Sequence, residues 1–272
     1  MNNALKVMAA IMMMLVFAMS CSKPDEPNNG GNNNEENDSV VDSNENLNGH
    51  EYVDLGLPSG TLWATCNMGA DTPEGYGDFF AWGETEPKEF YGWKNYKYGR
   101  LFHERYELNK YCTDSVFGFN GFVDNLSLLE LDDDVASTIW GTAWRTPTIE
   151  EWEEMFQNTT SVWTTQNGVN GWRFTASNGN SLFLPAAGYY WNDELNAADL
   201  GVYWSVTLNV EYPYRAWGFH FNAFQCHLCG SSDRNRGQTV RAVCSKKVSA
   251  KEKSKAAAKQ IHAQLRLFLF TN

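Results

Sequence analysis

The chain has 272 residues, and 33 acidic against 21 basic side chains leave it a formal charge of −12. Nucleic acid is excluded as a natural partner on that balance, because binding it needs a basic footprint. Beside 22 Gly stand 11 Trp, 12 Tyr and 16 Phe, the makings of a compact domain of strands and turns with little helix.

At the amino terminus Lys6 precedes an apolar run from Val7 to Met19. The run is short for a membrane span, which needs about 20 apolar residues, and suits a signal peptide, whose apolar stretch is about 7–15. Small Ala18 and Ser20 occupy the −3 and −1 positions of a cleavage site, and Cys21 follows directly. The arrangement resembles the lipobox of bacterial lipoproteins. It implies removal of residues 1–20, acylation of the Cys21 thiol and an anchor in the outer membrane through that lipid; an ordinary secretory signal with an incidental cysteine is the plainer alternative. Residues 21–50 are rich in Asn, Asp, Glu and Gly, with Val40, Val41 and Leu47 to bury, so they read as a solvated tether. About 28 such residues reach roughly 30 Å r.m.s.. Asp25 and Glu26, close behind Cys21, resemble the surface-export signal of Bacteroidetes lipoproteins, and Asp38-Ser39-Val40 and Asp114-Ser115-Val116 resemble their O-glycosylation motif.

From Glu51 to Ser245 the composition shifts to Trp, Tyr, Phe and Gly with frequent turn dipeptides, and acids there outnumber bases by about two to one. About 195 residues can bury a full core as one domain. Glu51–Asp54 and Thr61–Cys66 read as strands flanking the LGLPSG turn, and GDFFAWGE as a short extended piece. The acidic triplet Asp132, Asp133 and Asp134 suits the start of a short helix better than a calcium site, for which further oxygen ligands are not evident. A second helix is predicted over Ile149–Phe156, with Thr148 and Glu151 as a capping box and Ile149, Trp152, Met155 and Phe156 on one face. Glu150, Glu153 and Glu154 are then expected to face water. SVWTTQ, GWRFTAS and SLFLPAAG form a meander joined by Asn-Gly turns. Further strands are predicted at VYWSVT, YRAWGFHFN and QTVRAV. Alternation in YRAWGFHFN places Trp217, Phe219 and Phe221 on a core face and Gly218, His220 and Asn222 on the other.

In this order EYVDLGLPSGTLWATCNMGA, GDFFAWGE, WRTPTIEEW, TTQNGVNG, LFLPAAG, YWSVT and RGQTVRAV together resemble the Fibrobacter-type major paralogous domain family, abundant in Bacteroidetes lipoproteins. The resemblance covers nearly all of Glu51–Val243. It implies an α+β, C-type-lectin-like fold shared with formylglycine-generating enzymes: a twisted, mostly antiparallel sheet, one or two short helices and long irregular loops. In similar proteins diversified by retroelements, the interval between the YWS strand and the last strand carries the ligand surface. Carried onto this chain, the resemblance implies fixed positions at Trp204, Phe219, Phe221, Val240 and Arg241. Display positions would be Asn209, Glu211, Tyr212, His220, Asn222, Phe224, Gln225, His227 and Asp233. Aromatic and short polar groups on a rigid frame give contact area at low entropic cost. Tyr190 and Trp191, next to Tyr189, add rings suited to stacking on a sugar.

Other chemistries fit less well. Trp191, Asn192 and Asp193 spell a calcium-lectin triplet, but its EPN or QPD partner is missing from the domain. His220, Cys226, His227 and Cys229 offer metal-compatible atoms without the two spaced pairs of a structural zinc site, and Cys226 and Cys229 read as a local disulfide or as loop residues. Five cysteines follow Cys21, with Cys66 and Cys112 the first pairing considered. No phosphate loop or nucleophile motif is present. Residues 246–272, basic and Ala-rich with an apolar end, read as a weakly ordered appendage, with docking on an acidic surface the alternative. The expectation is a surface-tethered, non-enzymatic module that takes no cofactor or metal and binds an extracellular protein or glycan. A structural component of the envelope or a pilus tip is the alternative, and a formylglycine-type cysteine oxidase fits less well.

Overall fold

The structure, a computed structural model, describes residues 45–196 and 199–245. These belong to one unit, Ser43–Asn272. Cys21, the signal segment, most of the tether and the tail after Ser245 lie outside the described residues. Among the described residues no helix is long and apolar enough to cross a membrane.

Strand pairing begins ahead of the expected domain start, because β1 (Glu45–Leu47) forms a hairpin with β2 (His50–Val53). Asn48 and Gly49 make its turn, both with positive φ (54° and 89°), the backbone that a two-residue hairpin demands. β3 (Thr61–Ala64) pairs with β2. A second hairpin follows, β4 (Gly99–Phe102) with β5 (Arg105–Leu108). Then come α1 (Val135–Trp140), β6 (Trp144–Arg145) and α2 (Ile149–Gln157). The predicted meander is β7 (Thr159–Gln166), β8 (Val169–Ala176) and β9 (Ser181–Pro185). A third hairpin joins β10 (Tyr189–Trp191) to β11 (Glu194–Asn196). β12 (Leu200–Leu208), β13 (Arg215–Asn222) and β14 (Cys226–Asp233) form a three-stranded sheet, and β15 (Val243–Ser245) inserts between β3 and β6. Every ladder between these strands is antiparallel, so the class is α+β with little helix.

β3 is buried along its whole length, and alternation along it feeds two cores. Leu62 and Ala64 join Trp82, Tyr91, Trp144 and Trp204, while Trp63 joins Trp152, Phe174, Tyr203, Phe219 and Phe221. Trp204 and Tyr203 split between the same two clusters for the same reason. α2 carries its capping box as predicted: Thr148 Oγ1 accepts from the Glu151 N–H at 3.2 Å and Glu151 Oε2 from the Thr148 N–H at 2.9 Å. Glu154 departs from expectation. Its carboxylate accepts from the N–H and hydroxyl of Ser59, so it fastens the LGLPSG turn to the helix instead of facing open water.

The closing segment 234–242 was expected to be strand over QTVRAV. Of the residues Gln238–Val243 only Val243 enters β15, while Gln238 and Thr239 make single bridges, to Phe80 and to Tyr203. Its backbone is shared among irregular partners, with Ala242 O bound by Ala64 N–H, Val240 O by Met68 N–H and Arg234 O by Trp82 N–H. Arg241 is fully buried and donates to Asn67 Oδ1 and to the Ala64 and Thr65 carbonyls, and burial pulls its pKa down. The segment is the seam on which residues 64–82 are sewn to the central sheet.

Candidate functional site

The β12–β13 connection begins at Asn209. Its Oδ1 accepts from the backbone N–H groups of Glu211 and Tyr212, both at 3.1 Å, a local turn that short polar side chains favour. Asn209 is buried, which corrects its expected exposure on a display face: its side chain shapes the loop from within. Glu211 is exposed, and Tyr212 is 47% and Val210 52% exposed.

Behind them Tyr214 stacks on Tyr106, ring centroids 3.9 Å apart and planes within 5°. Phe117 lies 5.4 Å from Tyr214, and Trp93 meets Tyr106 edge-on at 5.1 Å. Burial pushes the Tyr106 hydroxyl up to about 12, so that ring keeps its proton at physiological pH. Across the strand pair Arg215 faces Asp233 with Nε 3.3 Å from the carboxylate. Asp233 is therefore committed to an ion pair. The Arg236 N–H donates to the Asp233 carbonyl at 3.1 Å, and its guanidinium sits 5.1 Å from the Tyr189 ring and 5.5 Å from the Trp191 ring, within cation–π range. Trp191 is 54% exposed at the tip of the β10–β11 hairpin. Tyr190 turns inward, 5.0 Å from Phe79 and 5.6 Å from Tyr91. The calcium-lectin triplet is this hairpin's turn: Asn192 has φ 58° and exchanges backbone hydrogen bonds with Tyr91.

A buried polar frame holds this surface. Arg234, fully buried, donates from Nε to Tyr96 Oη (2.9 Å), from Nη1 to the Tyr111 and Pro213 carbonyls (2.9 and 2.7 Å) and from Nη2 to the Lys110 carbonyl (3.1 Å). One side chain thus ties the base of the β12–β13 loop to the segment behind Tyr106. Asp133 accepts from Tyr98, Tyr111 (2.6 Å) and Lys110 (2.6 Å). Burial works to raise its carboxyl, but those hydrogen bonds win and hold it at about 2. Asp134 accepts from Thr146 and Ser137 and caps α1, and burial raises its carboxyl. Two of the three acids, Asp133 and Asp134, are thus structural, while Asp132 is exposed.

The remaining display positions lie at the other end of β13. Asn222 Oδ1 accepts from the Phe224 and Gln225 N–H groups at 2.8 and 3.1 Å, and its carbonyl from Trp172 Nε1 at 2.9 Å. Phe224 at the turn is 93% exposed, and Gln225 is exposed. His220 is half-buried, its ring occupying the space that a Cβ on Gly230 would need. His227 lies opposite His220 in the ladder, its side chain outside the described set. At about 3.3 Å per residue the ends of β13 stand roughly 23 Å apart. The expected single display surface is therefore two: Glu211, Tyr212, Asp233 and Trp191 at one end, Asn222, Phe224 and Gln225 at the other. CHLCG, expected as loop, is part of β14, and Cys226 packs against the core.

Cys66, Cys112, Cys226 and Cys244 are free thiols, which overturns a Cys66–Cys112 bridge; the Cys112 thiol donates to the Asp114 carbonyl at 3.1 Å. Among the described residues no group of three or more His, Cys, Asp or Glu is placed to hold a metal. Tyr106, Tyr214, Phe117, Trp93 and Arg236 were not anticipated, because they come from distant segments without periodic patterning; the Tyr212-Pro213-Tyr214 triplet was the nearest signal. No protein-family model, curated protein or solved structure matches the chain.

Proposed function

We propose that this chain is a non-enzymatic binding module of C-type-lectin-like fold, akin to the Fibrobacter-type major paralogous domain family. It is tethered through lipid on Cys21 to the outer face of an outer membrane and takes an extracellular protein or glycan as its ligand. The observation that carries this reading is the surface of Tyr212, Tyr214, Tyr106, Arg236 and Trp191 mounted on the buried Arg234 frame. Aromatic rings and arginines on a rigid support are what binding hot spots are made of. The few helices, the antiparallel sheets and the long irregular stretches support the fold assignment.

The test is an array of glycans and extracellular proteins probed with the full chain. The expected result is a ligand whose binding falls at least about tenfold when Trp191 and Tyr212 are both changed to alanine, since buried aromatic anchors are worth about 2 kcal/mol or more. Retained binding in that variant removes this surface from the reading. Association with the chain itself or with envelope proteins alone replaces it with the structural role.

A further inference from the structure

A cleft of about 520 Å³ opens between the β1–β2 turn, the segment after β3 and the end of α1. Its wall includes His50, Cys66, Asp71, Asp78, Ile139 and Trp140, and neither Lys nor Arg lines it. Asp71 and Asp78 are exposed, and neither enters an ion pair among the described residues. Asp78 is held in place. Its N–H donates to the Met68 carbonyl at 2.8 Å, and its carboxylate lies against Gly69, where φ is 79° and a Cβ would collide with it. Part of the same lining is apolar: His50 stacks on Trp140 at 3.8 Å with planes 14° apart, Trp140 meets the edge of Trp144 at 5.3 Å, and Ile139 is 55% exposed. Burial lowers the His50 pKa, so the imidazole brings no positive charge to the cleft at neutral pH.

Carboxylates without an ion pair and an aromatic and aliphatic surface lining one cleft select one chemistry. An anion is repelled, and a neutral sugar leaves the charges unanswered. A cation on an aliphatic stem satisfies both, with charge-assisted hydrogen bonds to the carboxylates and apolar and cation–π contact with the apolar surface. We propose that this cleft is a second binding site, for an organic cation: a primary ammonium or guanidinium on an aliphatic stem, carried by a free polyamine or by a lysine or arginine side chain.

Cys66 provides the reporter, because it is a free thiol, only partly buried, and part of the wall. On the full chain, the rates at which Cys66 reacts with a trimethylammonium and a sulfonate methanethiosulfonate reagent are compared by peptide mass spectrometry at low salt. Focused charge in a cleft raises local counter-ion concentration by about tenfold or more, so the cationic reagent is expected to be favoured about tenfold over its ratio on a small free thiol. The preference should collapse with Asp71→Asn and Asp78→Asn together, and shrink for the unaltered chain in about 0.5 M salt. Spermidine and a lysine-containing peptide amide should each slow the labelling. Protection by both identifies a site for free amines, and protection by the peptide alone a site for a protein-borne side chain. Equal rates for the two reagents, or no protection by either amine, would overturn the proposal.

Discussion

The two ends of β13 carry similar residues on different footings. At the Arg215 end, Tyr214 rests on Tyr106 and Phe117, Tyr212 meets Tyr214 edge-on, and Arg234 binds the intervening Pro213 carbonyl. At the Asn222 end, the turn is shaped by Asn222 itself, and Phe224 stands 93% exposed. Both present aromatic surface. A ligand meeting the first end finds groups whose ordering is already complete, whereas at the second it must order a side chain, at about 0.5–1.5 kcal/mol. Support beneath a ring, rather than its exposure, distinguishes a platform from a hairpin tip.

The strongest way to break this comparison is to remove the support. Arg234→Met keeps the bulk but strands the Tyr111 and Pro213 carbonyls in a dry interior and takes a donor from the Lys110 carbonyl and the Tyr96 hydroxyl, the latter keeping its bond to the Trp82 carbonyl. The expected cost is about 3–5 kcal/mol in urea unfolding. Hydrogen exchange should quicken at residues 106–117 and 209–214 while the Asn222–Gln225 turn keeps its wild-type rates. Equal loosening at both ends would show that the frame is not local.

A smaller effect of defined sign comes from Asp133. Its folded pKa of about 2 lies below the ordinary 3.8, so the ionised form favours the fold. That stabilisation is complete above about pH 4 and is lost as pH falls through about 2. Asp134, raised by burial, works in the opposite sense, since its protonation favours the fold as pH falls. Comparing Asp133→Asn with the unaltered chain isolates the first. The variant is expected to be about 2 kcal/mol less stable at pH 7, with the gap closing between about pH 4 and 2. A gap that stays constant over that range would show that the hydrogen bonds to Asp133 do not depend on its charge.

What could be read from the residues follows the reach of each signal. The capping box at Thr148 and Glu151, the meander with its Asn-Gly turns and the alternation that buries Phe219 and Phe221 are local patterns, and all are present in the structure. Arg241 and Trp204 are buried as the motif resemblance implied. Contacts made at long range were out of reach. The Tyr106–Tyr214 stack joins residues more than a hundred positions apart, and the Arg215–Asp233 pair depends on β14, whose Cys-His-Leu-Cys-Gly stretch carries no strand alternation. Asn209 misled for a physical reason: a short amide in a loop serves a ligand and a backbone turn equally well, and here the turn takes both N–H groups.

The smallest expected effect sharpens the comparison from the other end. The β13–β14 turn is closed by three hydrogen bonds, the two to Asn222 Oδ1 and the one from the Asn222 N–H to the Gln225 carbonyl at 2.9 Å. None involves the Phe224 ring, so Phe224→Ser leaves each in place. Stability should change by no more than about 0.5 kcal/mol, which for a domain of this size moves the melting temperature by less than about 2 °C. On the ligand array the same variant should bind like the unaltered chain, in contrast to the loss from changing Trp191 and Tyr212. A drop in binding with an unmoved melting curve would place the contact on the bare tip and reverse the ranking of the two ends, since no change in the fold would then stand between the ring and its ligand.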